Sequence, residues 1–379
     1  MKRLLTTIQK TARGILLLTT VLAGAMASCD SVLDFEEGDC SIEYQVKFKY
    51  DYNMKKVDAF AQEVKTVTLY AFDKDGTLVY QKTEEGERLS TGEYAMKVDM
   101  APGDYDLITW AGLDDQSFAV PLLTPGVSKR EDLNVLTHRN IDNTRAEGEE
   151  GQYVVQHSLP SLFHARTATV NFPEKITAST RARRQVVTTM DLVKNTNTIR
   201  IKECHIPETC CLEQTAQVTR NGKPAIRAIN KDRFTYAIYD DNGYMNYDNT
   251  LLEDNLLTYK PYITENSSIR SRAYSADGNT ETEYPAAVAE LSVGRLLEAQ
   301  NPRLEIIDAE TGKELLPNNK FIGYLALLKE QGFIDMPLSE YLDREDSFGM
   351  VFFVDENLTM LKSMIQINDW IIQIIDIEL

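Results

Sequence analysis

The sequence predicts an all-β protein with a minor helical part. Apolar and polar residues alternate along several short stretches, glycine- and asparagine-containing turns separate these stretches, and a single stretch has helical spacing. Apolar residues make up 43% of the chain and charged residues 26%, which is typical of globular proteins. The length of 379 residues is sufficient for two domains with substantial cores.

The first 29 residues have the form of a lipoprotein signal. Four basic residues come first: Lys2, Arg3, Lys10 and Arg13. The apolar segment 14–25 follows, and it is too short to span a bilayer. The small residues Ala27 and Ser28 then precede Cys29, whose thiol would take a diacylglycerol and whose freed amine would take a fatty acyl chain. Met26 stands where lipobox sequences usually carry Leu. We therefore expect acylation of Cys29, the alternative being an ordinary cleaved signal with a chance cysteine.

The net charge of the chain is −18, and the signal segment contributes only positive charge. A nucleic acid or an anionic lipid surface would be repelled on average, so we expect neither as the main partner. Membrane attachment is therefore expected through the lipid on Cys29 alone, and the acidic stretch 30–39 suits a solvated tether.

Strands are predicted along the region that follows the tether. Residues 42–50 alternate strictly between apolar and polar side chains, which is typical of a strand with one buried face. Residues 64–72 and 77–82 flank the turn Asp73–Gly76 and predict a hairpin; a calcium loop is the weaker alternative, because the turn lacks the distal glutamate. Two more strands are predicted before residue 113, at 94–100 and 105–112.

Residues 113–156 are polar and irregular, so we expect a long surface connection with a domain boundary near its end. A second set of strands is predicted at 168–172, 186–193, 198–202, 234–239 and 303–308. The segment 264–282 is rich in Ser, Asn and Asp and is expected to be a mobile loop. One helix is predicted at 319–329, where apolar residues share a face.

The last segment is apolar on both faces over 370–375. Such a strand must be central in a sheet or be given to another sheet, because an open edge of this kind would aggregate.

The remaining cysteines are Cys40, Cys204, Cys210 and Cys211. Four cysteines in an exported protein permit two disulfides with three possible pairings, and free thiols are the alternative. A metal site built from Cys204, His205 and the adjacent Cys210 and Cys211 lacks the spacing that zinc sites favour, so no metal site is expected.

The sequence offers no catalytic constellation. None of the four histidines has a metalloprotease spacing, and there is neither a nucleophile elbow nor a phosphate-binding glycine loop. Trp110 ends a predicted strand and is expected in the core. We therefore expect a binding or structural protein with no catalytic residues, no cofactor and no small-molecule substrate.

The order and spacing of several motifs resemble the fimbrial anchor lipoproteins of Bacteroidota, the cell-proximal subunits of type V pili. The matching segments are 40–44, 67–76, 101–105, 110–112, 161–164, 191–201, 289–296, 340–342 and 365–370. Ala165 is a departure, since a glycine usually follows the histidine at 164. The resemblance implies two tandem transthyretin-like β-sandwiches, no enzymatic activity, and attachment of a fimbria to the outer membrane, with fimbrial stalk subunits as partners. It also implies a limit on fimbrial length.

With this resemblance, the chain is expected to divide into four parts. These are a signal peptide (1–28), an acylated tether (29–40), an N-terminal β-sandwich (41–158), and a C-terminal β-sandwich (159–379) that includes a terminal strand (365–379).

Stalk subunits of this system polymerise by strand exchange after an Arg-specific protease removes their first strand. In this chain the first arginine after Cys29 is Arg88, beyond the first strand, so that strand is expected to stay in place. The protein should then donate a strand. The candidate residues are Ile365, Ile367, Trp370, Ile372 and Ile374. A terminal strand that completes its own domain is the alternative. For the whole protein, a surface glycan-binding lipoprotein and, more remotely, a lipid-linked hydrolase are the other hypotheses.

Overall fold

A computed structural model describes residues 42–175, 185–205, 229–275, 278–316, 321–331, 334–354, 360–367 and 370–373. It confirms the all-β class with minor helical content. No helix within these ranges is both long and apolar enough to cross a membrane.

The strands follow one another along the chain with three short α-helices among them. In chain order the strands are β1 (Glu43–Lys49), β2 (Thr66–Phe72), β3 (Leu78–Glu85), β4 (Met96–Val98), β5 (Gly103–Ala111), β6 (Phe118–Ala119), β7 (Asn134–Thr137), β8 (Asn140–Ile141), β9 (Tyr153–Val155), β10 (Phe163–Phe172), β11 (Gln185–Asp191), β12 (Val193–Lys194), β13 (Thr196–His205), β14 (Phe234–Asp240), β15 (Tyr244–Asn246), β16 (Leu257–Tyr259), β17 (Ile263–Ser275), β18 (Gly278–Gly294), β19 (Arg303–Asp308), β20 (Ser347–Val354), β21 (Met360–Ile367) and β22 (Trp370–Gln373). The helices within the described ranges are α1 (Phe60–Glu63), α2 (Phe321–Gln331) and α3 (Leu338–Arg344).

The chain divides into two compact units, residues 1–43 with 174–186 and residues 44–173 with 187–379. In the first unit the structure describes only 42–43, 174–175 and 185–186, which include the beginnings of β1 and β11. The packing described below lies within the second unit.

A first pair of sheets forms a sandwich through aromatic side chains. The three-stranded sheet β11-β1-β4 faces the five-stranded sheet β12-β10-β5-β2-β3. The ring of Tyr44 on β1 stacks on Phe172 of β10 at 4.6 Å, and Tyr50 meets Phe163 of β10 edge-on at 4.9 Å. These buried rings give the sandwich a large part of its apolar interior.

A second pair of sheets holds the C-terminal part of the core. The six-stranded sheet has the order β17-β18-β13-β20-β21-β22 and the five-stranded sheet the order β19-β14-β16-β9-β8. The hydroxyl of Tyr236 on β14 donates to Glu203 of β13 at 2.8 Å, a buried hydrogen bond that joins the two sheets. A third, smaller sheet in this part of the chain has the strand order β15-β7-β6.

The strands predicted between residues 42 and 112 are confirmed. The side chains of β1 alternate between partly exposed and buried, as the sequence pattern indicates. The predicted hairpin is β2 and β3, and Asp73 closes its turn by accepting the backbone N–H groups of Asp75 and Thr77. Because that carboxylate oxygen serves the turn itself, the hairpin interpretation is preferred over a calcium loop.

Two predictions for loops are wrong. Residues 264–275 and 278–282 of the predicted loop lie in the long antiparallel pair β17 and β18, because the polar residues that suggested a loop occupy paired strands. The segment 113–156 contains β6 to β9, with Phe118, Leu133 and Val135 buried. These strands have two to four residues, too few to show a period in the sequence.

The predicted helix is present as α2, whereas α1 and α3 were not predicted. The predicted domain boundary at 158/159 falls between β9 and β10. Strand β10 belongs to the first sandwich and β9 to the second, so a single cut there does not separate the strands of the two sandwiches.

Candidate functional site

The first strand occupies the centre of its sheet. Strand β1 lies between β11 and β4, so it has a neighbour on each side. It pairs with β4 through Tyr44↔Val98 and Val46↔Met96, and the carbonyl of Lys49 accepts the N–H of Leu192 at 2.8 Å. The hydroxyl of Tyr44 also donates to the carbonyl of Pro173 at 2.9 Å. The strand that follows the tether is therefore an integral part of the fold.

Strand β1 and the residue that follows it carry a continuous row of apolar side chains. Tyr44, Val46, Phe48 and Tyr50 are all buried. Phe48 contacts the ring of Phe60 on α1 at 5.8 Å. Removal of this segment would take four buried apolar side chains out of the core, each of which contributes about 1.5–3 kcal/mol by its burial, so the first sandwich could not keep its core without a replacement strand.

Arg88, the first arginine after Cys29, lies in a 3₁₀ helix between β3 and β4. Its side chain is 65% exposed and forms an ion pair with Glu84 at 3.1 Å. The next residue, Leu89, is fully buried. The peptide bond that an Arg-specific protease would cut is therefore held beside a core residue.

Cys29 and the tether lie outside the described residues, so the lipidation site stays a prediction. The same holds for Cys40, Cys210 and Cys211 and for any disulfide among them. Cys204 is buried on β13, and burial raises the pKa of its thiol to about 12. A thiol in this environment is neutral at physiological pH and is a poor metal ligand.

The predicted donor residues lie at one edge of the six-stranded sheet. Ile365 and Ile367 are on β21, Trp370 and Ile372 are on β22, and Ile374 lies outside the described residues. Strand β21 runs antiparallel to β20 with Ile365 opposite Met350. Strand β22 turns back on β21, with Trp370 opposite Ile367.

Within the described strands β22 has a neighbour on one side only. Such an edge presents backbone N–H and C=O groups to a further strand. Contact with a partner through this edge stays a prediction.

The titratable side chain of His164 is part of the core. His164 is buried against Trp110 at 4.7 Å between ring centroids, and burial lowers its pKa to about 4. Its Nε2 lies 2.8 Å from the carbonyl of Tyr247, so this nitrogen carries the proton and donates. Trp110 is fully buried, which confirms its place in the core. Among the described residues, no group of three or more His, Cys, Asp or Glu is arranged to hold a metal ion.

Comparison with known families gives a match over most of the chain. The model of the family described as fimbrillin-A associated anchor proteins Mfa1 and Mfa2 matches residues 36–376. A curated relative, the minor fimbrium anchoring subunit Mfa2 of Porphyromonas gingivalis, is 30% identical over 94 residues, which are 25% of this chain and 29% of that protein. The alignment thus spans less than a third of the relative's length.

Solved structures extend the likeness to nearly the whole chain. A candidate polysaccharide-binding protein of Bacteroides thetaiotaomicron is 28% identical with a TM-score of 0.67, over 89% of this chain and 99% of that one. A candidate adhesin of the same organism is 28% identical with a TM-score of 0.66, over 87% and 97% of the two chains. The fimbrial anchor protein Mfa2 of P. gingivalis shares the fold, with a TM-score of 0.55 and 16% identity over 88% and 99%.

Proposed function

We propose that this chain, which belongs to the family of fimbrillin-A associated anchor proteins, holds the base of a fimbria to the outer membrane and ends its polymerisation. The observation that carries the proposal is the central position of β1, close in sequence to the predicted lipid on Cys29. A family of fimbrial anchors is a family of structural proteins, which agrees with the expectation of a non-enzymatic role.

The lipid supplies the membrane end of the proposed mechanism. A single acyl chain gives marginal, reversible membrane binding, whereas two or more chains give stable attachment. Acylation of Cys29 by a diacylglycerol and a fatty acyl chain would supply three. The acidic residues that follow Cys29 would then separate the folded part from the membrane surface.

The retained first strand supplies the reason for termination. In the strand-exchange mechanism that the family resemblance implies, a stalk subunit opens a groove when its first strand is removed. In this chain no arginine lies between Cys29 and Arg88, and the bond after Arg88 is held beside the buried Leu89. The groove that β1 fills would stay filled, and no further subunit could insert there.

The contact with the stalk would use the other end of the chain. Among the described strands, β22 is an edge, and the sequence there is apolar on both faces. We infer that residues from Ile365 onward meet a stalk subunit by strand pairing, either as an added edge or as a donated strand.

Co-purification of fimbriae with membranes tests the anchor. In cells that produce the Cys29→Ala variant, fimbriae should be released into the medium, whereas Cys40→Ala should leave them bound. Cys40 is the matched control because it lies at the far end of the tether and is not expected to be acylated. Fimbriae that stay attached to cells producing Cys29→Ala at normal protein levels would contradict the proposal.

Capture of a surface glycan is a second candidate function. It is favoured by the similarity to a candidate polysaccharide-binding protein over nearly all of that chain. Trp110 cannot provide a sugar platform because it is fully buried, so a glycan would have to be bound elsewhere.

A further inference from the structure

We propose that a cleft on the small sheet β15-β7-β6 binds a neutral oligosaccharide, independently of fimbrial anchoring. The floor is a row of three residues in register across the sheet, in which Ala119 and Tyr244 both pair with Leu136. All three side chains are partly exposed, whereas Val135 and Met245 in the neighbouring row are buried. One face of this sheet therefore packs on the core and the other is open.

The cleft is large enough for an extended ligand. Two adjoining cavities of about 670 and 540 Å³ share Ala119, Leu136, Asp254 and Asn255 in their walls. Each volume lies in the range of small-molecule sites. Tyr244 and Glu253 line one end, and Tyr153, Asn140 and His157 line the other.

A buried ion pair fixes the wall between the two cavities. Arg139 Nη1 donates to Asp254 Oδ1 at 2.7 Å, and their side chains are only 9% and 5% exposed. Arg139 Nε also donates to the carbonyl of Thr137 at 3.0 Å. A Cβ on Gly243 would lie 2.7 Å from Asp254 Oδ2 and 2.9 Å from Arg139 Nη2, so the glycine leaves the space that the pair occupies.

This ion pair also makes the cleft nearly neutral. Since Arg139 compensates Asp254, Glu253 is the one lining residue with a formal charge and no partner of opposite sign. An anionic ligand would meet the carboxylate of Glu253, which disfavours it. A neutral ligand carries no such cost.

The lining side chains have unused hydrogen-bonding groups. Within the part of the chain that the structure describes, the side chains of Asn140, Asn255, Tyr153 and Tyr244 make no hydrogen bond, and the buried Nε2 of His157 has no partner. Amides and phenols both donate and accept, as sugar hydroxyls do. The apolar face of a sugar ring can lie on Leu136 and on the tyrosine rings, and this combination is typical of small-molecule sites with a few convergent polar groups.

The edge beside the cleft is unsuited to a peptide strand. Strand β6 has only two residues, and Pro121, which follows it closely, has no N–H to donate to a ladder. A neutral polyhydroxylated chain matches the cleft better than an extended peptide.

Binding of oligosaccharides to the purified full-length protein tests the assignment. The probes are maltopentaose, laminaripentaose and mannopentaose, with a chondroitin sulfate tetrasaccharide as the acidic comparator, measured by calorimetry and saturation-transfer NMR. At least one neutral probe should bind, and Tyr244→Ala and Asn255→Ala should each weaken it about tenfold or more, which is about 1.4 kcal/mol. Asn143→Ala, on an exposed loop, is the matched control and should leave binding unchanged.

The assignment is overturned if no neutral probe binds, whether or not the acidic probe does, or if Asn255→Ala binds as the wild type does. Asn255 is exposed, so its variant should fold, which an unchanged thermal unfolding midpoint would verify. Cells producing Asn255→Ala should keep their fimbriae attached. If they release them, the cleft belongs to the fimbrial interface and the sugar assignment is wrong, while the anchor proposal stands.

Discussion

Asn195 and Asn249 exchange amide hydrogen bonds in the interior of the protein. Asn195 Nδ2 donates to Asn249 Oδ1 at 2.5 Å, and Asn249 Nδ2 donates back to Asn195 Oδ1 at 3.2 Å. Asn249 has a left-handed backbone with φ 68°, and its carbonyl accepts Arg295 Nη1 at 2.9 Å. The pair fastens the turn after β15 to the start of β13, and Arg295 links that turn to Asp343 on α3.

Replacement of Asn195 should therefore cost more than the loss of one hydrogen bond. In Asn195→Ala the amide of Asn249 would stay buried without its partner, which lowers the free energy of unfolding by about 1–3 kcal/mol. Urea denaturation measures this change, with the exposed Asn143→Ala as control. A variant within about 0.5 kcal/mol of the wild type would show that the pair contributes no net stability.

A side chain at Gly112 should be destabilising for two reasons, backbone strain and a steric clash. Gly126 has the strained backbone without the clash, so it separates the two contributions. Gly112 has φ +80°, and a Cβ there would lie 1.8 Å from the carbonyl oxygen of Ser161. Gly126 has φ +78° with nothing within 4 Å of its Cβ position. Gly126→Ala should cost about 1–2 kcal/mol from backbone strain alone. Gly112→Ala should cost at least about 3 kcal/mol more, because the backbone at Ser161 must move.

Chemical denaturation of both variants measures the difference. Equal losses of unfolding free energy in Gly112→Ala and Gly126→Ala would mean that the chain around Ser161 yields to the added methyl group at no cost.

The buried Glu203 should make stability fall as the pH rises. Burial raises its pKa to about 8, although the hydrogen bond from Tyr236 lowers it. The pKa of an unfolded glutamate is about 4.3, so between about pH 4.3 and 8 the folded state keeps a proton that the unfolded state has lost. The stabilising contribution of the protonated group is complete below about pH 4.3 and is lost as the pH rises to about 8.

Glu203→Gln keeps an acceptor for Tyr236 and removes this titration. We expect the variant to match the wild type near pH 4 and to exceed it in unfolding free energy at pH 8, while exposed Glu298→Gln changes neither value. Asp240, whose pKa burial raises to about 7, titrates in both proteins and cancels in the comparison. A constant difference between wild type and Glu203→Gln from pH 4 to 8 would contradict the assignment.

The elements that could be predicted from the sequence are those whose pattern of apolar and polar residues matches their pattern of buried and exposed side chains. Strand β1 alternates over its whole length because one face is buried. In the β2–β3 hairpin a strong turn joins a largely buried strand to one whose residues alternate in burial. Strand β17 and the first part of β18 were missed because their polar composition suggests a loop, while the pairing between the two strands decides the structure.

The candidate sites also differ in how far the sequence alone identifies them. The signal that ends at Cys29 and the terminal apolar strand are each one continuous stretch of sequence, so a local pattern identifies each of them. The cleft brings together Ala119, Leu136, Tyr244 and Asp254 from β6, β7, β15 and the following loop. No spacing of residues in the sequence predicts that arrangement, because it depends on how the short strands pair.

The terminal strand provides the sharpest test of the proposed contact with the stalk. Trp370 and Ile372 alternate with Ile371 and Gln373 along β22, so neighbouring positions lie on opposite faces of the strand. Ile372→Asp places a charge on the predicted donor face, and Gln373→Asp places the same charge on the other face. If the strand docks in a stalk subunit, Ile372→Asp should abolish pull-down of fimbriae, and cells should show longer or detached fimbriae by electron microscopy. Gln373→Asp should bind as the wild type does.

A chain shortened after Asp369 completes the test. Within the described strands β22 is an edge with one neighbour, so the shortened protein should keep its circular dichroism spectrum. It should nevertheless fail to capture fimbriae, because the donor residues from Trp370 onward are missing. If the shortened protein folds and still ends fimbriae at normal length, strand donation by this segment is wrong, and the terminal strand only completes its own sheet.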